Sequence, residues 1–181
     1  MEKSALRKKI LSHRKKYYLK NLSISSNKLL NFLEKKNLKS KNIGCYYPFN
    51  YEFNILNIIE TLEKKNYIIS LPRVNKNGKM DFFHWSLNDP LKINRYGIPE
   101  TFSKKKIFPK ILLIPLVGFD NQLNRLGYGG GYYDRYISKV QQKEYIIKIG
   151  IGFSFQKVKN ISINKYDKKL DYIITENNFI E

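Results

Sequence analysis

Apolar residues Leu6, Ile10, Tyr17 and Tyr18 recur at near-helical spacing along a lysine-rich N-terminus with no Gly or Pro between them, so residues 1–20 read as a basic helix. The pattern runs on without a break into a second helical stretch, residues 25–37, striped by Leu29, Leu30, Phe32 and Leu33. A transit peptide shares the basic, acid-poor character, but this continuity favours a structural helix over a cleaved leader. Short apolar runs at 43–47 and 67–71 are each stopped by a proline, Pro48 and Pro72, and read as buried strands. Between them, apolar positions 55, 56, 58, 59 and 62 give a helix over 55–65. Residues 79–85 read as extended, and 88–110, with Pro90, Gly97, Pro99 and Pro109, as loop. The most apolar run, 111–117, is a central strand that ends or bulges at Pro115, because proline has no N–H to donate. A glycine cluster, a helix over 132–142, and strands over 145–153 and 170–175 complete the chain.

Strands alternate with helices, and several strands are apolar on both faces. This predicts an α/β fold, a largely parallel sheet covered by helices on both faces. With 181 residues and no visible linker, one domain over 1–181 is expected. In open sheets of this kind ligands sit beyond the carboxyl ends of the strands, which directs attention to the loops after Tyr47, Leu71, Val117 and Phe153.

A single cysteine excludes a disulfide framework and a thiolate zinc site, and two histidines cannot build a multi-His cage. Cys45, in a predicted strand, reads as core, and His84 and Trp85 as packing residues. No run approaches a membrane span, and the N-terminus has no apolar signal core, so a cytoplasmic protein without membrane contact is expected. The formal net charge is +19. Yet 28 of the 34 basic residues are lysine, and Lys, Ile and Asn together fill 70 positions. All three have A/T-rich codons, so part of the charge is composition, and the remainder favours an anionic ligand. A basic RNA-binding module is the alternative reading. It would need exposed aromatics among clustered cations, whereas the 14 tyrosines fall mostly in strands or in the glycine segment.

That segment is Arg125-Leu-Gly-Tyr-Gly-Gly-Gly-Tyr-Tyr-Asp134, between a strand and a helix, with Arg135 following. Four glycines in five positions permit positive φ and close approach of a ligand. Consecutive N–H groups ahead of a helix form an anion nest. The dinucleotide fingerprint fails at Tyr132, where glycine is required, and the Gly-Lys-Ser/Thr of a P-loop is missing. A plain glycine turn would account for the glycines alone, but not for the flanking Arg, Tyr-Tyr and Asp.

With Pro115 and Gly118-Phe119-Asp120 before it, this segment closely resembles the signature of the 5-formyltetrahydrofolate cyclo-ligases. Weaker matches fall in order around it: Lys3-Ser-Ala-Leu-Arg7, Tyr46-Tyr47-Pro48 with Glu52, Pro72-Arg73-Val74, Ile149-Gly-Ile-Gly-Phe153 with Gln156, and Asp167 with Leu170-Asp171. Two positions depart from the family pattern: Thr101 stands where a proline is usual, and Gly130 where lysine is frequent.

The resemblance implies an ATP-dependent enzyme converting 5-formyltetrahydrofolate to 5,10-methenyltetrahydrofolate, with Mg²⁺ as cofactor. It implies ATP binding by Lys3, Ser4, Ala5, Leu6 and Arg7 and by Arg125, Leu126, Gly127, Tyr128, Gly129, Gly130, Gly131, Tyr132 and Tyr133, with Arg125 and Tyr133 catalytic. Folate would be bound by Tyr47, Glu52 and the loop from Tyr128 to Tyr132. Asp134 and Asp171 would hold the metal, with Asp167 as the substitute for Asp171. No specific nucleic-acid partner and a monomer are expected.

Overall fold

The computed structural model describes residues 2–18, 22–36 and 40–181. Helix α1 (Lys3–Tyr18) buries only Ile10 and Arg14. Residues 22–25 are not helical, so the expected unbroken run is interrupted ahead of α2 (Ser26–Lys35). Extended Ser25 caps α2, its hydroxyl accepting the Lys28 N–H, and serine at such a position favours a helix start over a continuation. Residues 1, 19, 20 and 37 of the two predicted helices lie outside the described residues.

Strand β1 (Asn42–Gly44) is shorter than its apolar run. The chain then passes through α3 (Leu56–Lys64) to β2 (Ile68–Val74), which continues through Pro72 instead of stopping there. The reason is positional. β1 flanks β2 only from Ile68 to Ser70, so Pro72 has a neighbour on one side alone, in β3 (Met80–His84), and its missing N–H breaks no central ladder. The predicted loop over 88–110 holds three short strands, β4 (Leu91–Ile93), β5 (Pro99–Thr101) and β6 (Lys106–Ile107). The Asn94 side chain accepts the N–H groups of Tyr96 and Ile98 and closes the β4–β5 hairpin. Strand β7 (Ile111–Pro115) ends at its proline. There follow a small ladder of β8 (Gly118–Phe119) and β9 (Arg125–Leu126), then α4 (Tyr132–Gln141), β10 (Ile147–Ile151), β11 (Tyr172–Ile174) and β12 (Phe179–Ile180).

The main sheet has eight strands in the order β12-β11-β10-β7-β1-β2-β3-β6. The inner run from β11 to β2 is parallel, and β12, β3 and β6 are antiparallel edges. Alternation in β7 divides the core. Ile111 and Leu113 pack with Leu29, Leu33, Ile58 and Leu62 of α2 and α3, while Leu112 and Ile114 pack with Tyr136 and Ile137 of α4. Fully buried Leu113 cut to alanine should cost about 3 kcal/mol. Helix α1 reaches the first layer only through its last residue, Tyr18. Its Ile10 packs on Val117 and Leu126 beyond the end of β7, and a Cβ on Gly118 would sit 2.9 Å from the Ile10 Cδ1, so glycine is what lets the helix approach there.

Candidate active site

The carboxyl ends of β1, β2 and β7, the start of α1, the β4–β5 hairpin and the glycine segment enclose a cavity of about 850 Å³. Lys3, Arg7, Tyr47, Glu52 and every residue from Arg125 to Arg135 line it. Sequence-distant motifs thus meet at the strand ends, as expected for an open α/β sheet.

The glycine segment leaves β9 and enters α4 through two left-handed turns, Gly129 at φ 106° and Gly131 at φ 64°. Gly131 is the N-cap of α4 and offers no side-chain acceptor, so N–H groups of the first helical turn are not capped by that residue. Beneath the loop, Arg7 donates its Nε–H to the Gly127 carbonyl at 2.7 Å. Arg125 bonds Asp134 at 2.8 Å and lies 5.4 Å from the centre of the Tyr133 ring. The Arg125 Nε and the Tyr133 hydroxyl are buried without a hydrogen-bond partner among the described residues. Burial, with the Glu52 charge nearby, pushes the Tyr133 phenol far above its ordinary range, so it stays protonated and able to donate.

Two carboxylates reach this end of the cavity. Asp134 receives Arg125 on one oxygen and the Lys168 N–H, 3.1 Å, on the other. Asp167 receives Lys3 at 2.5 Å and the Asn164 N–H at 2.7 Å. Asp171 is elsewhere. It sits at the amino end of β11, the opposite edge of the parallel strands, where it accepts the Lys148 N–H at 2.7 Å and its ammonium at 3.0 Å. Asp171 is therefore not brought to the cavity, and Asp167 is. No cluster of three or more metal-ligating side chains occurs among the described residues. Ser4, Ala5 and Leu6 also fall away: Ser4 and Ala5 are exposed, and Leu6 packs against the Ile10 cluster. Only the two ends of that motif, four residues apart, share the inward face of the helix.

At the other end, Glu52 is 6% exposed and accepts the Phe49 N–H at 3.0 Å. Burial raises its pKa to about 7, against the opposing pull of that N–H, the Arg14 charge and the Tyr128 hydroxyl. Tyr47 meets Trp85 edge-on at 5.9 Å. Sequence reading missed two contributors. Asn94, Tyr96, Ile98 and Glu100 of the β4–β5 hairpin line the cavity, and its short strands gave no periodic signal. Arg14 is almost fully buried and bonds the Tyr128 hydroxyl and the Asn50 carbonyl. Its place on the Lys3–Arg7 face, seven residues after Arg7, was the available clue.

The model of the 5-formyltetrahydrofolate cyclo-ligase family matches residues 1–176. The chain belongs to this family. It is 33% identical over 183 residues to the 5-formyltetrahydrofolate cyclo-ligase of Mycoplasma pneumoniae, covering 97% of this chain and 99% of that one. It is 33% identical over 148 residues to the enzyme of the same name from Haemophilus influenzae, with 78% of each covered. Among solved structures, the 5,10-methenyltetrahydrofolate synthetase of Mycoplasma pneumoniae superposes with a TM-score of 0.72 at 30% identity, covering 97% and 99% of the two chains. That of Aquifex aeolicus gives 0.74 at 27% identity, covering 99% and 92%. As a member of the family this cyclo-ligase is an enzyme of the ligase class, with the α/β fold of those neighbours. No helix among its described residues is long and apolar enough to cross a membrane.

Proposed function

We propose that this cyclo-ligase uses ATP to convert 5-formyltetrahydrofolate to 5,10-methenyltetrahydrofolate, releasing ADP and phosphate in the cytoplasm. The observation that carries the reading is one cavity lined both by a glycine loop with Lys3, Arg7 and Arg125 and by a buried acceptor, Glu52. The first group suits a polyphosphate. The second suits the N–H edge of a pterin, from which a carboxylate accepts two hydrogen bonds.

The formyl oxygen on N5 attacks the γ-phosphorus. An O–P bond forms, the bond to the β-phosphate oxygen breaks, and ADP leaves. The formyl carbon is now iminium-like with phosphate as its leaving group. N10 attacks that carbon and loses its proton, the carbon–oxygen bond breaks, and phosphate departs. Phosphoryl transfer of this kind asks mostly for alignment and charge neutralisation. Arg7 holds the loop against the phosphates through the Gly127 carbonyl, Arg125 and Lys3 supply positive charge, and Tyr133 donates a proton-bearing hydroxyl at the buried wall. Asp134 and Asp167, the two carboxylates at this end of the cavity, would hold Mg²⁺. Two carboxylates already accepting other bonds suit a hard ion that keeps water and phosphate oxygens as its remaining ligands. Such an ion would supply charge neutralisation at the phosphates.

The test follows methenyltetrahydrofolate absorbance with purified protein, ATP, Mg²⁺ and 5-formyltetrahydrofolate. Absorbance should rise only when both substrates are present and should stop rising in chelator. No rise with all components overturns the reading, and full activity in chelator removes the metal from it.

A further inference from the structure

Glu52 and Tyr128 belong to separate loops, and the residue joining them lies outside the cavity wall. Arg14 is 1% exposed and points the two N–H groups of its Nη2 at the Asn50 carbonyl, 2.5 Å, and at the Tyr128 hydroxyl. The Arg14 Cζ lies 5.2 Å from the centre of the Tyr128 ring. Tyr128 in turn faces Glu52, and each shifts the other's titration. The loop bearing Glu52 is strained: Asn50 and Tyr51 are consecutive non-glycine residues at φ 48° and 59°. Such backbone persists only when its surroundings over-determine it, and Arg14 grips the first of these residues by its carbonyl. The same helix reaches the glycine loop through Arg7 on Gly127.

We propose that Arg14 is a positioning residue for folate turnover: it clamps the Glu52 loop and Tyr128 to α1, fixing the folate acceptor relative to the phosphate loop. The proposal rests on the assignment of Glu52 to the folate. Arg14 also sets the electrostatics of that acceptor. Glu52 is faced by Arg14 from α1, Tyr128 from the glycine loop, Tyr46 from the segment after β1 and Tyr133 from α4. Of these four groups only Arg14 is cationic, and its charge pulls the Glu52 pKa down against burial. Removing it moves that titration to higher pH, so the charged acceptor disappears sooner as pH falls.

The experiment compares Arg14→Met, Arg14→Lys and Glu52→Gln with the parent, checking folding by circular dichroism. It measures KM for each substrate, the pH profile of kcat/KM for the folate, and 5-formyltetrahydrofolate binding without ATP. Arg14→Met should raise the folate KM by roughly tenfold or more, the scale of a lost charged hydrogen bond. It should leave the ATP KM within about twofold and move the acid limb of the profile to higher pH. Arg14→Lys keeps the charge without the planar fork, so it should return the acid limb toward the parent while the folate KM stays elevated. It carries the test alone if the methionine variant does not fold. Weakened folate binding in Glu52→Gln, with unchanged folate KM and pH profile in the Arg14 variants, overturns the clamp while sparing the Glu52 assignment. Normal folate binding in Glu52→Gln overturns the assignment itself, and the clamp with it.

Discussion

Arg7 of α1 and Gly127 of the glycine segment, 120 positions apart in sequence, are joined by a 2.7 Å bond from guanidinium Nε to carbonyl oxygen. A Cβ added at Gly129 would lie 3.6 Å from the same guanidinium carbon, so the loop rests directly on this side chain. The basic N-terminal helix therefore shapes the glycine loop by direct contact, and under the proposed function it belongs to the phosphate site in geometry as well as in charge.

Arg7→Lys retains the charge but has neither an Nε–H nor a planar fork. The ATP KM should rise by roughly tenfold, the folate KM should stay within about twofold, and the circular dichroism spectrum should be unchanged. Steady-state kinetics with each substrate varied in turn checks this, and an unaltered ATP KM would separate Arg7 from the phosphates.

Asp167 and Asp171 make opposite predictions. Asp167→Asn should lower turnover and raise the Mg²⁺ concentration needed for half-maximal rate, because Asp167 lines the cavity beside Lys3. Asp171→Asn should leave both nearly unchanged but lower stability by about 2 kcal/mol, since it strips the counter-ion from buried Lys148. Mg²⁺ titrations and urea unfolding of the two variants decide it. The reverse pattern would return the second metal ligand to Asp171.

The layered core was legible because its signal is local. The unbroken apolar run at 111–117 marks a strand buried on both faces, and helical spacing in 29–33 and 55–62 marks the helix stripes that cover one of them, whatever lies opposite. Lys3, Arg7, Glu52 and the glycine loop were legible through a motif whose pieces occur in a fixed order. The short strands after His84 were not, since two- or three-residue strands are held by partners such as Asn94 and Thr101, with no periodicity of their own. Asp171 was misplaced for a related reason. Sequence order placed it beside Asp167, but only the sheet shows that β11 begins at the edge opposite the cavity.

Glu52 ties pH to stability. Burial raises its pKa from an ordinary 4.5 to about 7, so the folded state prefers the protonated acid. The stability this group contributes is fully present below pH 4.5 and is lost as pH rises through 7, a change of about 3 kcal/mol. Glu52→Gln is always neutral. It should match the parent at pH 4 and exceed its stability at pH 8 by up to about 3 kcal/mol, while folate binding is lost. Urea unfolding at the two pH values measures the difference, and equal stability at pH 8 would show that the native carboxylate is not penalised.

The glycine loop is tested by two matched substitutions. Gly131 at φ 64° and Gly78 at φ 71° occupy nearly the same left-handed conformation, in which a β-branched residue costs on the order of 1–2 kcal/mol. Their surroundings differ. Gly78 lies in the turn between β2 and β3 with nothing within 4 Å of an added Cβ, whereas at Gly131 that atom would sit 2.9 Å from an Arg135 nitrogen, inside the cavity lining. The Arg135 contact is the end of a flexible side chain and can give way, but the backbone of the α4 N-cap cannot be relaxed so easily. Gly131→Val should therefore tilt the first-turn N–H groups away from the phosphates and lower kcat by about a hundredfold or more, with weakened ATP binding. Gly78→Val should lose a similar amount of stability and keep its turnover. Thermal unfolding and kinetics of both variants separate strain from chemistry. Equal losses of turnover would trace the defect to stability alone. Normal turnover in a folded Gly131→Val protein would reduce the loop to a turn and remove the phosphate site with it.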